Sequence, residues 1–541
     1  MTSSSIGIRG MAVAPHGLAA ESAIDVLREG GNALEAMIAA AASIAVVYPH
    51  MNSIGGDSFW VINGPKGIPG GIDACGASAA RASRNWYSNQ GISENIPFRG
   101  GSAALTVAGT VSGWGKALAL SRKYLGGRLP LSRLVSDAVF FAEHGISITA
   151  SQHRSTAKKL IELRDQPGFS ETFLERGAAP AIGAIFKQPC LAKTLKKIGQ
   201  EGTDTFYRGS LAKLIAKELS LVGSPLQLSD LQRHQSCLVD PLHTRIHSTN
   251  LEASIYGDLY NMVPPSQGLI SLMILGLLNR LKVLGVDPEG AEFIHTQVEA
   301  TKLAFSIRDQ FLTDRAFMKV NPPTLLDPEY LDSLAKVIRR DRAAPWGKAL
   351  TPGDTIWMGV IDSRGIGVSF IQSAYHEFGS GIVLPESGIN WQNRGCSFSL
   401  NPSHINTLQP FKKPFHTLNA AMARLADGRT MVYGTMGGDG QPQTQATIFT
   451  RAINYGDHPQ QAIERPRWLL GRTWGSSSDT LKLESRFSTS VIDELRQRGH
   501  DVELLSDWDE AVGHAGMIIR HDNGTLQGGF DPRSDGAAIG F

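Results

Sequence analysis

The sequence is short of cysteine. Its four cysteines (Cys75, Cys190, Cys237, Cys396) stand far apart, with no Cys-x-x-Cys spacing. That excludes a zinc ribbon and a disulfide-dense scaffold, and fits a reducing compartment. A long hydrophobic run is also missing. The most apolar stretch, Ala36 to Val47, is interrupted only by Ser43, yet a membrane-crossing helix needs about 20 such residues. Neither sign of charge dominates: Lys+Arg 52 against Asp+Glu 50 leaves +2. Nucleic acid and anionic membrane are therefore not expected as partners. Met1 to Ser5 carry no basic or apolar region, so no secretory signal is expected and a cytoplasmic location is.

The chain is rich in what a folded core needs. Hydrophobic residues make up 42% and charged residues 19% of 541, which excludes global disorder. Glycine, at 58 residues, exceeds the usual share of about 7% and implies tight turns or close backbone approach.

Residues 17–30 carry an apolar stripe at three- and four-residue spacing and predict a helix stopped by Gly30-Gly31. Asn32 caps the next, buried helix, which ends at Pro49. Ser58 to Ile62 read as a strand after the Gly55-Gly56 turn. Residues 110–340 read as mainly helical. Residues 339–354, with their charges, prolines and glycines, read as an exposed linker. Beyond it Thr355–Ile361 and Ile366–Ile371 form a hairpin, Thr430–Tyr433 another strand, and Gln443–Asn454 a helix.

Four places could carry chemistry. Thr355 stands where the linker meets a strand. A threonine hydroxyl becomes an effective nucleophile when its own α-amino group is the chain terminus, which needs cleavage between Asp354 and Thr355. Taken alone, a strand threonine is the simpler reading. The Gly434–Gly440 loop, which contains Gly437 and Gly438, can aim N–H groups at an oxyanion or a phosphate, or be a plain turn. It lacks the Gly-Lys-Ser/Thr ending and the G-x-G-x-x-G spacing of nucleotide sites. His295 and Glu299 lie four apart on a helix. Without a second nearby histidine they predict a helix-face hydrogen bond and no metal. Asn393, Arg394, His416 and Thr417 could clamp a carboxylate, against a surface arginine as the plain alternative.

In combination and in order, these features resemble the γ-glutamyltransferase family of N-terminal nucleophile hydrolases, nearly end to end. The resemblance rests on Gly30-Gly31-Asn32-Ala33, Pro49-His50-Met51, Ile54-Gly55-Gly56 and Leu105 to Gly113. It continues through Pro264-Pro265-Ser266, His295 with Glu299-Ala300, Lys302, Ala304-Phe305 and Asp309, then Phe378-Gly379-Ser380-Gly381, Gly437-Gly438 and Asp531 to Gly536. It implies an α+β fold, an αββα sandwich formed jointly by two chains of a self-cleaved precursor. Residues 1–354 would be the large subunit, mainly helical with some sheet strands, and 355–541 the small one carrying the N-terminal threonine, with a dimer of such pairs allowed. Thr355 falls on the family's nucleophile, Ser373 on its hydrogen-bonding partner, and Gly437 and Gly438 on the oxyanion hole. No cofactor is implied.

The departures bear on substrate. Cys75 stands where the family has the arginine that holds a glutamyl α-carboxylate, and Ser397 where it has the aspartate for the α-amino group. His416-Thr417 replace adjacent serines, Tyr375 an asparagine and Arg394 a glutamine. Each lost charged partner costs about 1.5–3 kcal/mol, so γ-glutamyl compounds are expected to be poor substrates. Arg394, His416, Thr417 and Tyr375 suit a small carboxylate without an amino group. Val47 to Met51 and Asp354 to Gly359 look like the branch that hydrolyses oxamate to oxalate and ammonia. The alternatives are a γ-glutamyltransferase or hydrolase, a cephalosporin-acylase-like amidase, and, from another class, a non-catalytic binding protein.

Overall fold

The computed structural model describes residues 3–64, 69–249, 254–281, 285–347, 354–472 and 478–541. Residues 348–353 of the expected linker and the first two residues of the chain lie outside these.

Two seven-stranded antiparallel sheets form the centre. Edge to edge, one contains Ala537–Gly540, Gly10–Ala14, Asp354–Asp362, Gly367–Tyr375, Asp57–Asn63, Pro69–Ala74 and Cys237–Val239. The other contains Ser5–Gly7, Leu526–Phe530, Ala515–Arg520, Thr430–Thr435, Ala421–Leu425, Ser254–Asn261 and Leu242–Thr249.

Side-chain alternation sets the layers, because successive strand residues face opposite ways. On the Asp354–Asp362 strand, Trp357 and Ile361 join Phe59, Val61, Ile371, Met422, Val432 and Ile518 in an apolar layer between the sheets. Ile356, Met358 and Val360 point away and pack with Trp60, Val368 and Phe370 beneath the helices Gly17–Arg28 and Ala33–Val47. The outer face of the second sheet is covered by Gly268–Leu281, Ala291–Phe311 and Gly440–Asn454. The order is helix, sheet, sheet, helix, the αββα arrangement expected from the sequence.

Trp357 explains part of the glycine content. A Cβ at Gly434 would lie 2.2 Å from its ring, and one at Gly516 2.4 Å. Asn32 caps its helix as expected, accepting from the Leu34 and Glu35 N–H groups, while Glu35 returns a bond to the Asn32 N–H at 3.0 Å.

The mainly helical stretch 110–340 also contributes Cys237–Val239 and the hairpin Leu242–Thr249/Ser254–Asn261. The hairpin lies at a sheet edge and places charge in its strands, with Arg245 opposite Asp258 and bonded to it at 2.9 Å. Exposed polar positions of that kind dilute the apolar pattern of a strand. No helix among the described residues is long and apolar enough to cross a membrane.

Candidate active site

Thr355 is fully buried near the start of a central strand that begins one residue earlier, at Asp354. The register slips by one there: Asp354 pairs with Tyr375 but Ile356 with Gln372, so Thr355 alone faces Ser373 and Ala374, a bulge in the neighbouring Gly367–Tyr375 strand. Bulges re-aim a side chain out of the regular pleat. Gln441 Nε2 donates to the Thr355 hydroxyl at 3.3 Å. Its Oε1 accepts from both the backbone N–H and the Nδ2 of Asn419, at 3.1 Å each. That pairing orients the Gln441 amide with its N–H toward Thr355.

Gly437 and Gly438 occupy the turn between the Thr430–Thr435 strand and the Gly440–Asn454 helix, with φ of 114° and 53°. A side chain is disfavoured at such angles. Their carbonyls accept from the N–H groups of Gly440 (2.8 Å) and Gln441 (3.2 Å). Their own N–H groups donate to no acceptor among the described residues. Asp439, next in the chain, ion-pairs with buried Arg308 at 3.0 Å. Burial pushes its pKa up to about 6 although Arg308 opposes this. An acid already occupies this helix N-terminus, which argues against the phosphate reading of the loop.

Arg394 is the charged centre of the site. It is fully buried on a short turn, Arg394–Ser397. Its guanidinium donates to Thr417 Oγ1 at 3.3 Å and Ser373 Oγ at 3.2 Å. It lies 4.1 Å over the Tyr375 ring. Tyr375 itself has a φ of 85°, a strained backbone for a bulky residue. Among the described residues no carboxylate lies within ion-pair distance of Arg394, and its Nε has no hydrogen-bond partner. Burial lowers its pKa to about 10.

His416 stands beside Asp57, Nε2 to Oδ2 3.4 Å, both fully buried. Burial, with Arg394 and Lys413 nearby, holds the imidazole well below its ordinary pKa, so it is neutral. Cys75 is buried next to the Asp73–Lys413 ion pair (2.6 Å), its thiol pushed well up by burial.

The structure thus gathers Thr355, Ser373, Arg394, Tyr375, Thr417, Gly437 and Gly438. His416 enters this group through its chain neighbour Thr417. Ser397 donates away, to the Phe415 carbonyl at 3.1 Å, and Asn393 Nδ2 to that of Phe98 at 2.8 Å. Four members escaped the sequence reading: Asp57, Gln267, Asn419 and Gln441. Gln267 Nε2 donates to the carbonyls of Thr417 and Gly438, at 2.8 Å each, and so ties the Arg394 side of the site to the glycine loop. An acid at the head of the apolar run Phe59 to Ile62 was the signal that could have found Asp57.

His295 and Glu299 lie elsewhere, and the expected hydrogen bond between them is not formed. His295 Nδ1 instead meets His500 Nε2 at 2.8 Å, from 205 residues further on. Glu299 takes Lys302 at 2.7 Å and the Ala344 N–H at 3.0 Å. A second histidine does stand by, but it comes from a distant segment that local spacing cannot show.

Two facing sheets between helical layers, with a threonine on a central strand, define an N-terminal nucleophile hydrolase. The chain belongs to the gamma-glutamyltranspeptidase family, whose model matches residues 19–541. It is 56% identical over 541 residues to the oxamate amidohydrolase proenzyme of Klebsiella pneumoniae, covering 100% of both chains. It is 39% identical to a glutathione hydrolase-like proenzyme of Bacillus subtilis, again covering 100% of both. Among solved structures, the cephalosporin acylase of Bacillus halodurans superposes with a TM-score of 0.89 at 29% identity, covering 100% of this chain and 97% of that one.

Proposed function

We propose that this amidohydrolase cuts itself between Asp354 and Thr355 and then hydrolyses oxamate to oxalate and ammonia. The observation that carries the substrate is Arg394, a buried cation with no carboxylate partner among the described residues. Burying an uncompensated charge is costly. A site that keeps one is built to receive the opposite charge, here a carboxylate. The 56% identity to the Klebsiella oxamate amidohydrolase proenzyme supports a small one, oxamate.

In maturation the Thr355 hydroxyl attacks the Asp354 carbonyl carbon, the acyl group moves from N to O, and water releases residues 1–354 from residues 355–541. The freed amine, with a pKa of about 8, then serves as base. It takes the hydroxyl proton while Oγ attacks the substrate amide carbon. The N–H groups of Gly437 and Gly438 hold the oxyanion, and Gln441 steadies Oγ from the side. Ser373, in the bulge opposite Thr355 and bonded to Arg394, supports both partners. The tetrahedral intermediate collapses, the amine returns its proton to the departing nitrogen, and ammonia leaves. Water, deprotonated by the same amine, attacks the oxalyl ester, and oxalate departs. Arg394 and Thr417 grip the carboxylate throughout, with Tyr375 beneath the guanidinium and His416 alongside. Four unpaired cysteines fit a cytoplasmic setting.

The test is ammonia release from oxamate by the purified enzyme, set beside γ-glutamyl anilide and glutaryl amide substrates. Preference for oxamate by at least about 100-fold in kcat/KM is expected from losing two charged contacts in the γ-glutamyl pocket. Preference for either bulkier amide would replace this reading with a transferase or acylase one.

A further inference from the structure

Asp57 is a buried acid to which the mechanism above gives no role. The strand register sets it directly across from Ser373, so both side chains leave the same face of the sheet. Its two oxygens are not equivalent. Oδ1 accepts from the N–H groups of Gly76 and Gly109, both at 3.0 Å. Oδ2 makes no hydrogen bond of regular geometry and lies 3.4 Å from His416 Nε2. Arg394 Nε and His416 Nδ1 have no hydrogen-bond partner among the described residues. Partnerless polar atoms that are fully buried are rare, because each forfeits its hydration. Here they lie where Arg394 and Asp57 meet the same strand residue, Ser373.

We propose that Asp57, as a carboxylic acid, is a second hydrogen-bond donor to the substrate carboxylate, and so a specificity-determining residue for small acids. This rests on the reading of the site given above. Two N–H donors fix Oδ1 as an acceptor, so the proton belongs on Oδ2. From there it forms an O–H···O⁻ bond to the anion, the short and strong kind. An ionised Asp57 would instead set a like charge against the substrate and neutralise Arg394 in its place.

The surroundings allow the acid form. Burial pushes the Asp57 pKa up to about 7, against Arg394, the two backbone N–H groups and the Gln392 side chain, which hold it down. The Gln392 amide spends one N–H on the Val107 carbonyl at 2.9 Å and turns toward Asp57 with the other. The other titratable groups facing it are His416, held neutral by burial, and Cys75 and Tyr207, both pushed up by burial and uncharged at neutral pH. Arg394 is thus the charge that faces Asp57 among the described residues. An arriving carboxylate raises the acid's pKa further. The sign follows: below about pH 7 the site is ready, and above it each bound carboxylate must bring a proton with it.

The test uses the self-cleaved enzyme and reads KM for oxamate from about pH 6 to pH 9. Wild-type KM should be flat below about 7 and then rise roughly tenfold per pH unit. Asp57→Asn keeps an oxygen for Gly76 and Gly109 and presents N–H in place of O–H. Its KM should stay flat across the range, whereas Asp57→Ala should raise KM at every pH. A flat wild-type profile, or a wild-type rise that Asp57→Asn reproduces, would overturn the proposal. If the variants do not fold, calorimetry of oxalate binding to the wild type in two buffers of different ionisation enthalpy decides. Uptake of about one proton at pH 8 and none at pH 6 is expected, and no uptake at either pH overturns it. Normal oxamate turnover with a flat profile removes this proposal alone. Absence of both oxamate turnover and oxalate binding removes the underlying reading of the site.

Discussion

Replacing Arg394 with methionine separates a substrate-binding cation from a structural one. Its depressed pKa, from 12.5 to about 10, means that keeping the cation buried costs about 3 kcal/mol of folding free energy at neutral pH. That cost is present in full below about pH 10 and fades only as the pH climbs toward 12.5. Methionine removes it. Methionine also gives up the bonds to Ser373 and Thr417, about 1 kcal/mol each, and the stacking on Tyr375, about 0.5–2 kcal/mol. The two sides nearly cancel, so the stability of the empty enzyme should change by no more than about 1 kcal/mol. A buried arginine paired with a protein carboxylate would lose about 3–5 kcal/mol on the same change. Activity should respond very differently. Two charge-assisted bonds to a carboxylate are together worth about 3–6 kcal/mol, or a loss of roughly 10²- to 10⁴-fold in kcat/KM. Urea denaturation and ammonia release measure the two quantities on one preparation, and self-cleavage should proceed. Turnover within tenfold of wild type, or a stability loss of several kcal/mol, would refute the reasoning.

Gln267→Ala should lower kcat by about 10- to 100-fold, because the Thr417 and Gly438 carbonyls lose a shared donor and the glycine loop loosens. Steady-state kinetics with the self-cleaved variant would show it, and an unchanged kcat would free Gln267 of any role in positioning. Asp531 is buried between Arg467 (2.6 Å) and Arg533 (3.0 Å). Burial pushes its pKa up, but the two arginines outweigh this and bring it down to about 2. Its contribution is therefore present above about pH 4 and lost as the pH falls through about 2. Asp531→Asn takes the paired carboxylate from buried Arg467, while Arg533 keeps Glu484 at 2.6 Å. It should cost about 3–5 kcal/mol at pH 7, read by urea denaturation, with the gap to wild type closing in strong acid.

The layered fold was legible through the family resemblance, and the central strands themselves through their continuous apolar runs. Thr355 to Ile361 and Ile366 to Ile371 carry the apolar residues that fill both faces of one sheet. The Leu242–Thr249 hairpin strand was not legible, since charged edge positions break that pattern. In the site, the residues found from sequence are those on which the family resemblance falls, Thr355, Ser373, Tyr375, Arg394, Gly437 and Gly438, since their local signals alone favoured plainer readings. Those missed are connected only through space. Gln441 reaches Thr355 across 86 residues and Gln267 reaches Gly438 across 171. Both are glutamines inside or just ahead of helices, indistinguishable in the sequence from any solvated glutamine. His500 meets His295 across 205 residues for the same reason.

Every catalytic step above depends on Thr355 becoming an amino terminus. Intact mass under denaturing conditions, with terminal sequencing of any fragments, tests this most directly in the wild type and in Thr355→Ala. The wild type should yield two chains, the smaller beginning Thr355-Ile356-Trp357 and ending at Phe541, and the variant a single inactive chain of 541 residues. An uncut wild type that still releases ammonia from oxamate, or a Thr355→Ala variant that is cut and active, would contradict the account.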